Sequence, residues 1–258
     1  MSETVTREDA DGVATITLQR PGLSSALRRE LRAVVAEVAA DDAVRAVLLT
    51  GSGRAFCVGQ DLAEHVESLR GNAAASLSVV EEEYNPLLLA LAALRVPVVV
   101  GINGACAGAG LGIALAGDLR VAAAGAKFTT AFTGIGLSSD SGLAARLVRC
   151  VGVSRATELL LLPEPFLAET AAEWGLVHRV VEAERVQAEA LALATRLAAG
   201  PTAAYRAVKT VLATAATDSL EETLALEARL QRQLGQTADH SEAVEAFLAK
   251  RPPVFIGR

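Results

Sequence analysis

Two glycine-rich turns and one aspartate are the residues of this chain whose types and spacing can do chemistry. Ala107-Gly108-Ala109-Gly110, continued by Leu111-Gly112, follows an apolar run that reads as a strand and opens one that reads as a helix. Unpaired backbone N–H groups at such a helix start can face a polarised oxygen. Cys57-Val58-Gly59-Gln60-Asp61 stands at the end of a second strand-like run. Donors from two strand ends that converge on one point suit a carbonyl oxygen that gains negative charge during a reaction. The first turn has two other readings. A dinucleotide turn would need G-x-G-x-x-G, whereas the spacing is G-x-G-x-G, and Asp118 comes too soon to meet a ribose. Close helix packing needs no ligand at all. The base that an oxyanion site requires is best supplied by Asp140, in Gly136-Leu137-Ser138-Ser139-Asp140-Ser141-Gly142, ahead of the apolar run from Leu143. A helix N-cap fits the same placement, and spacing alone ranks the cap above catalysis. The chain has no G-x-S-x-G elbow, no phosphate loop ending in Gly-Lys-Ser/Thr and no HExxH helix.

The elements that must hold these residues follow from periodicity. Val13 to Leu18 alternates as a strand, and a helix is expected from about Ser24 to Ala40. Val44 to Thr50 and Val96 to Ile102 are nearly continuous apolar strands, the pattern of a mostly parallel sheet buried on both faces. Ser68 to Ala75 is small and polar and reads as a mobile loop over the site, before a helix from Leu77 to Leu94. Beyond residue 153 the pattern is helical throughout: Arg155 to Leu161, Leu167 to Glu173, Glu184 to Ala199, Thr202 to Ala216, Leu220 to Leu234 and Glu242 to Lys250. The last of these carry apolar faces, with Leu224, Leu230, Leu234, Val244 and Phe247, that need a cover from the main domain or from another subunit.

Composition narrows the function classes. A length of 258 residues suffices for one large domain with a sizeable core. The net charge of -6 is dispersed, without the basic clusters that neutralising many phosphates requires, so no nucleic acid partner is expected. No apolar run approaches the roughly 20 residues of a membrane span. Met1-Ser2-Glu3-Thr4 lacks the basic and apolar sequence of a signal peptide. Cys57, Cys106 and Cys150 form no CxxC pair, which fits reduced thiols in a cytoplasmic setting. His65, His178 and His240 are scattered, so no metal site is expected, and His65 reads as an ordinary loop or helix residue.

Taken together, Leu18-Gln19-Arg20-Pro21, Ala55-Phe56-Cys57-Val58-Gly59-Gln60-Asp61-Leu62, Val98 to Gly112 with Ile102-Asn103-Gly104, and Asp118 resemble the crotonase superfamily, the enoyl-CoA hydratase/isomerase family, over nearly the whole chain. The resemblance implies an α/β fold, a ClpP/crotonase-like spiral of ββα units. A core over residues 1–195 and a helical trimerisation region over 196–258 would assemble as trimers or dimers of trimers. It implies acyl-CoA thioester substrates, with coenzyme A entering as part of the substrate and no separate cofactor. By motif position, the amides of Gln60 and Ala109 would form the oxyanion hole. Arg54 and Lys250 would meet CoA phosphates, Lys250 across a subunit boundary, and Val58, Gly59, Asp61, Leu62, Gly108, Phe132 and Phe247 would line the substrate.

Hydratases of the family use two glutamates, and the matching positions here are Gly112 and Phe132, so isomerisation is expected over hydration. A branch of the family, the 1,2-epoxyphenylacetyl-CoA isomerases of phenylacetate degradation, is similar at Glu83-Tyr84-Asn85-Pro86-Leu87, Ala126-Lys127-Phe128 and Ala172-Glu173-Trp174-Gly175-Leu176. That branch puts its catalytic aspartate at Asp140, although Ser139-Asp140-Ser141-Gly142-Leu143 departs from its usual Pro-Asp-x-Gly-Gly. The resemblance thus reverses the order of cap and base. Alternatives are weak hydration, a dehalogenase-type hydrolysis with Asp140 as nucleophile and Phe132 and Asn85 at its partner positions, and a non-catalytic CoA-binding scaffold. Burial near Phe132 and Leu137 is expected to raise the Asp140 pKa.

Overall fold

Each strand in the first half of the chain is followed by a short partner and then a helix, and the computed structural model, which describes residues 4–72 and 76–258, shows where that repetition leads. A hairpin of β1 (Val5–Ala10) and β2 (Val13–Leu18) leads into α1 (Ser25–Ala40). Then come β3 (Ala46–Gly51), β4 (Ala55–Cys57) and α2 (Leu62–Asn72). After α3 (Asn85–Ala93), the unit repeats as β5 (Val98–Ile102), β6 (Ala105–Ala107) and α4 (Ala109–Ala116). It repeats again as β7 (Leu119–Ala123), β8 (Lys127–Thr129) and α5 (Leu143–Leu161). The first strand of each unit joins one sheet, of order β1-β2-β3-β5-β7-β10, and the second joins another, β4-β6-β8-β9. This is the expected spiral of ββα units. Within it β2, β3, β5 and β7 run parallel.

The continuous apolar strands have a plain cause. One face of the main sheet packs into the large core with α1, α3 and α4. The other meets α7 (Val186–Ala198), whose Ala190, Leu193 and Ala194 lie against Val13, Leu48, Val99 and Val121. Strands covered on both faces cannot alternate. On α1, Leu27, Leu31, Val35 and Val38 form the buried stripe, and the Ser24 hydroxyl caps the helix by accepting from the Leu27 amide.

Several expectations change. Residues 68–72 continue α2 rather than forming a loop, and 73–75, like Met1 to Glu3, lie outside the described residues. The helix expected from Leu77 to Leu94 is a π-helical turn, Val80–Tyr84, feeding α3. The two helices expected at 143–150 and 155–161 form the single α5, kinked where Gly152 leaves helical geometry at φ 74°. The later chain is not all helix. β9 (Phe166–Leu167) pairs antiparallel with β8, α6 (Ala168–Glu173) follows, and β10 (Arg179–Val181) extends the main sheet beside β7. α8 (Thr202–Thr214), α9 (Leu220–Leu234) and α10 (Ala238–Leu248) complete the chain. Arg45 fastens them to the core by donating to the Gly200 and Phe255 carbonyls and the Thr202 hydroxyl. No helix among the described residues is long and apolar enough to cross a membrane.

Candidate active site

The first turn owes its geometry to the segment that follows β2. Pro21 accepts from the Val58 amide at 2.8 Å, and Leu23 pairs with Gln60 as an isolated parallel bridge. In that bridge the Leu23 amide donates to the Gly59 carbonyl and the Asp61 amide donates to the Leu23 carbonyl. Successive amides of an extended segment alternate in direction, so the Gln60 N–H faces away from Leu23. Gly59, at φ 88°, makes the bend. A Cβ on Gly59 would lie 3.5 Å from the Ala109 nitrogen, so the two turns meet.

The second turn is the uncapped start of α4. Gly108, at φ 53°, offers no side chain to the helix, and Ala109 is its first residue. Neither the Gln60 nor the Ala109 amide donates to an acceptor among the described residues. Ala109 is buried and Gln60 partly so, and donors left open in such places are rare and invite a ligand oxygen. The turns approach because backbone packs on backbone: a Cβ on Gly110 would collide with the Cys57 carbonyl, and one on Gly104 with the Arg54 carbonyl. Asn103 braces the same edge by donating to the carbonyls of Gly53 and Ala55.

Asp140 is not a helix cap. The N-cap of α5 is Gly142, and the only side-chain bond of Asp140 among the described residues is to its neighbour, whose Oγ donates to Oδ1 at 2.7 Å. Burial pushes the Asp140 carboxyl above the ordinary carboxylate range, and the Ser141 hydrogen bond opposes that rise. Phe132 is buried in a 3-10 turn, Phe132–Ile135, with its ring 3.9 Å from where a Gly108 Cβ would stand. Gly112 has no space for a side chain, since a Cβ there would fall 2.8 Å from the Ser141 Cβ and 2.9 Å from its carbonyl oxygen. Thus neither position that could carry a further acid does so.

Tyr84 and Arg28 form a buried polar wall that the motif reading did not single out. Tyr84, 1% exposed, ends the π-helical turn, and Arg28, 4% exposed, lies 4.9 Å from its ring centroid. Arg28 also pairs with Glu83 at 2.6 Å and donates to the Leu23 carbonyl. Burial pushes the Tyr84 phenol up against the pull of Arg28, and Asp140 and Cys57 both lie within electrostatic reach of it. The available signal was Arg28 itself, a charge inside the apolar stripe of α1 next to Leu27 and Leu31. Cys57 and Cys106 are no nucleophiles, because burial pushes the Cys57 thiol up to about 12 and raises that of Cys106 well above its usual value.

The remaining expected site residues divide by place. Val58 and Leu62 are exposed beside the first turn, next to a groove of about 600 Å³ that includes Arg20, Pro21, Ser24 and Asp61. Asp61 also has a structural task, since its Oδ1 accepts from the Ala63 and Glu64 amides at the start of α2. Arg54 is exposed and makes no ion pair among the described residues. His65 lies on α2, with Nδ1 3.4 Å from the Gln60 side-chain amide. Phe247, 83% exposed, and Lys250 belong to α10 and its end, and no hydrogen bond or ion pair among the described residues joins them to the turns. A cavity of about 880 Å³ also lies away from the turns, lined by apolar side chains of α8 and α9 such as Val208, Leu212, Leu224 and Leu230. Among the described residues no group of three or more His, Cys, Asp or Glu side chains could hold a metal ion.

Residues 8–258 match the family described as enoyl-CoA hydratase/isomerase. A probable enoyl-CoA hydratase from Rhodobacter capsulatus is 45% identical, over 99% of this chain and 98% of its own. The 1,2-epoxyphenylacetyl-CoA isomerase of Escherichia coli is 42% identical over the full length of both. A solved structure of an enoyl-CoA hydratase/isomerase from Mycobacterium abscessus superposes with a TM-score of 0.97 at 51% identity, covering 98% of this chain and all of that one.

Proposed function

The chain belongs to the enoyl-CoA hydratase/isomerase family, and on that premise we propose that it isomerises an unsaturated or epoxidised acyl-CoA thioester with Asp140 as its single proton carrier. The Asp140 carboxylate removes a proton from a carbon α or γ to the thioester. The electron pair moves onto the thioester oxygen, where the Gln60 and Ala109 amides stabilise the negative charge. The protonated Asp140 then returns the proton to another carbon, and the double bond has moved. Coenzyme A enters only as part of the substrate, its pantetheine running past Val58, Gly59, Leu62 and Gly108 and its phosphates near Arg54. Exposed apolar faces of α8 to α10 are the contacts of a trimer or dimer of trimers, in which Phe247 and Lys250 reach a neighbour's substrate.

One observation carries this reading: a half-buried carboxyl with a raised pKa belongs to the turn whose Ser141 packs on α4, the helix whose first amide is open, while Gly112 and Phe132 supply no second acid. Hydration is the competing reading, favoured by the description of the R. capsulatus relative. It requires water to be activated on one side and a proton delivered on the other, work for two groups. The test compares conversion of a 3-enoyl-CoA to the 2-enoyl-CoA with hydration of crotonyl-CoA on the same enzyme. Isomerisation is expected to be faster by about 100-fold, the lower range of what one positioned acid or base contributes. Hydration at the greater rate contradicts the proposal.

A further inference from the structure

The turn that carries Asp140 is built with a residue its backbone does not favour. The Leu143 amide donates to the Asp140 carbonyl at 3.0 Å, and the two residues between have left-handed φ, 54° at Ser141 and 66° at Gly142. A turn with positive φ at both central positions prefers Asn or Gly at the first, because a side chain there meets the backbone. Serine has no such advantage. Yet Ser141 is 1% exposed, its Cβ and carbonyl rest against Gly112, and its hydroxyl donates to Asp140 Oδ1. Strained backbone persists where surrounding packing holds it, and it clusters where geometry matters to function. Oδ2 of Asp140 has no partner among the described residues.

We propose that Ser141 is the positioning residue of this site: its hydroxyl fixes Oδ1 of Asp140, leaves Oδ2 free to face the substrate, and favours the ionised form in which the carboxyl acts as a base. The proposal rests on Asp140 as the proton carrier. Other charged or titratable groups around the turn do not duplicate this bond. Tyr84, from the π-helical turn, lies within electrostatic reach of Asp140 but accepts its hydrogen bond from Arg28. Arg146, on α5, lies beside Gly142 and donates to the Leu115 carbonyl. α4 brings no titratable side chain to the turn, and Phe132 is apolar.

Two variants separate the hydroxyl from the turn. Ser141→Ala keeps the Cβ against Gly112 and the unfavourable φ but loses the donor. Ser141→Gly loses both and relieves the backbone. A donor to a carboxylate holds its pKa down, so losing it moves the acid limb of kcat/KM to higher pH. In both variants that limb should move up, and kcat below its midpoint should fall by about ten-fold, the scale of one charge-assisted hydrogen bond, with KM unchanged. A serine kept only for turn shape would leave the limb in place and make Ser141→Gly the equal of the unsubstituted enzyme in rate, which overturns the proposal. Asp140→Asn distinguishes the two levels. If it is inactive while both serine variants keep the original limb, Ser141 alone loses its role. If it stays active, the proton carrier is elsewhere and the reading beneath this proposal fails as well.

Discussion

The two glycine turns and the C-terminal helices are incomplete in opposite ways. At the turns, apolar packing is finished: Gly110 touches the Cys57 backbone, Gly104 that of Arg54, and no larger residue fits. What stays open is polar, the amides of Gln60 and Ala109 and one oxygen of Asp140. At the ends of α9 and α10 the polar groups are paired. Ser219 and Glu222 form a reciprocal cap on α9, Thr237 caps α10, and buried Asp239 accepts from the amides of Ile256 and Gly257. What stays open there is apolar, with Leu212, Leu220, Leu224 and Phe247 exposed. Open donors at a packed turn suit a small ligand that gains negative charge, whereas an open apolar face suits a protein surface.

Substitutions can break this contrast from either side. The largest structural effect is expected from Gly110→Ala. One methyl group driven into the Cys57 carbonyl must displace backbone, so denaturant unfolding should show a loss of about 3 kcal/mol, the upper range for overpacking, and isomerase activity should vanish with it. Unchanged stability would mean that the turns are not packed as tightly as the structure indicates. Leu224→Asp lies at the other extreme. The stability of the isolated chain should stay within about 0.5 kcal/mol, while mass measured by light scattering drops to that of one chain. An assembly that survives this substitution and a similar one at Leu212 would contradict the proposed subunit contact through α8 and α9.

The same contrast explains what could be read in the sequence. β2, with its bounds at Val13 and Leu18, was legible because alternation is local, and so was α1, expected from about Ser24 to Ala40. The turns were legible because only glycine tolerates φ 88° at position 59 or direct backbone contact at position 110. β10 was not, because three residues become a strand only where β7 offers an edge more than fifty positions away. The far end of α2 was not legible for another reason: its apolar positions, Leu62, Val66 and Leu69, stop before Arg70-Gly71-Asn72, whose small and polar residues read as loop. The role of Asp140 fell between these cases. Its position suited a cap, and only the left-handed pair Ser141-Gly142 moves the cap two residues on and frees the carboxyl.

Asp140→Asn bears most directly on the proposed chemistry, since it preserves shape and leaves Ser141 an oxygen to bond. The 3-enoyl to 2-enoyl isomerisation rate should fall by about 1,000-fold, within the range for removing a general base, while calorimetric affinity for the thioester changes by less than about three-fold. Near-full activity in the substituted enzyme would contradict the single-base mechanism.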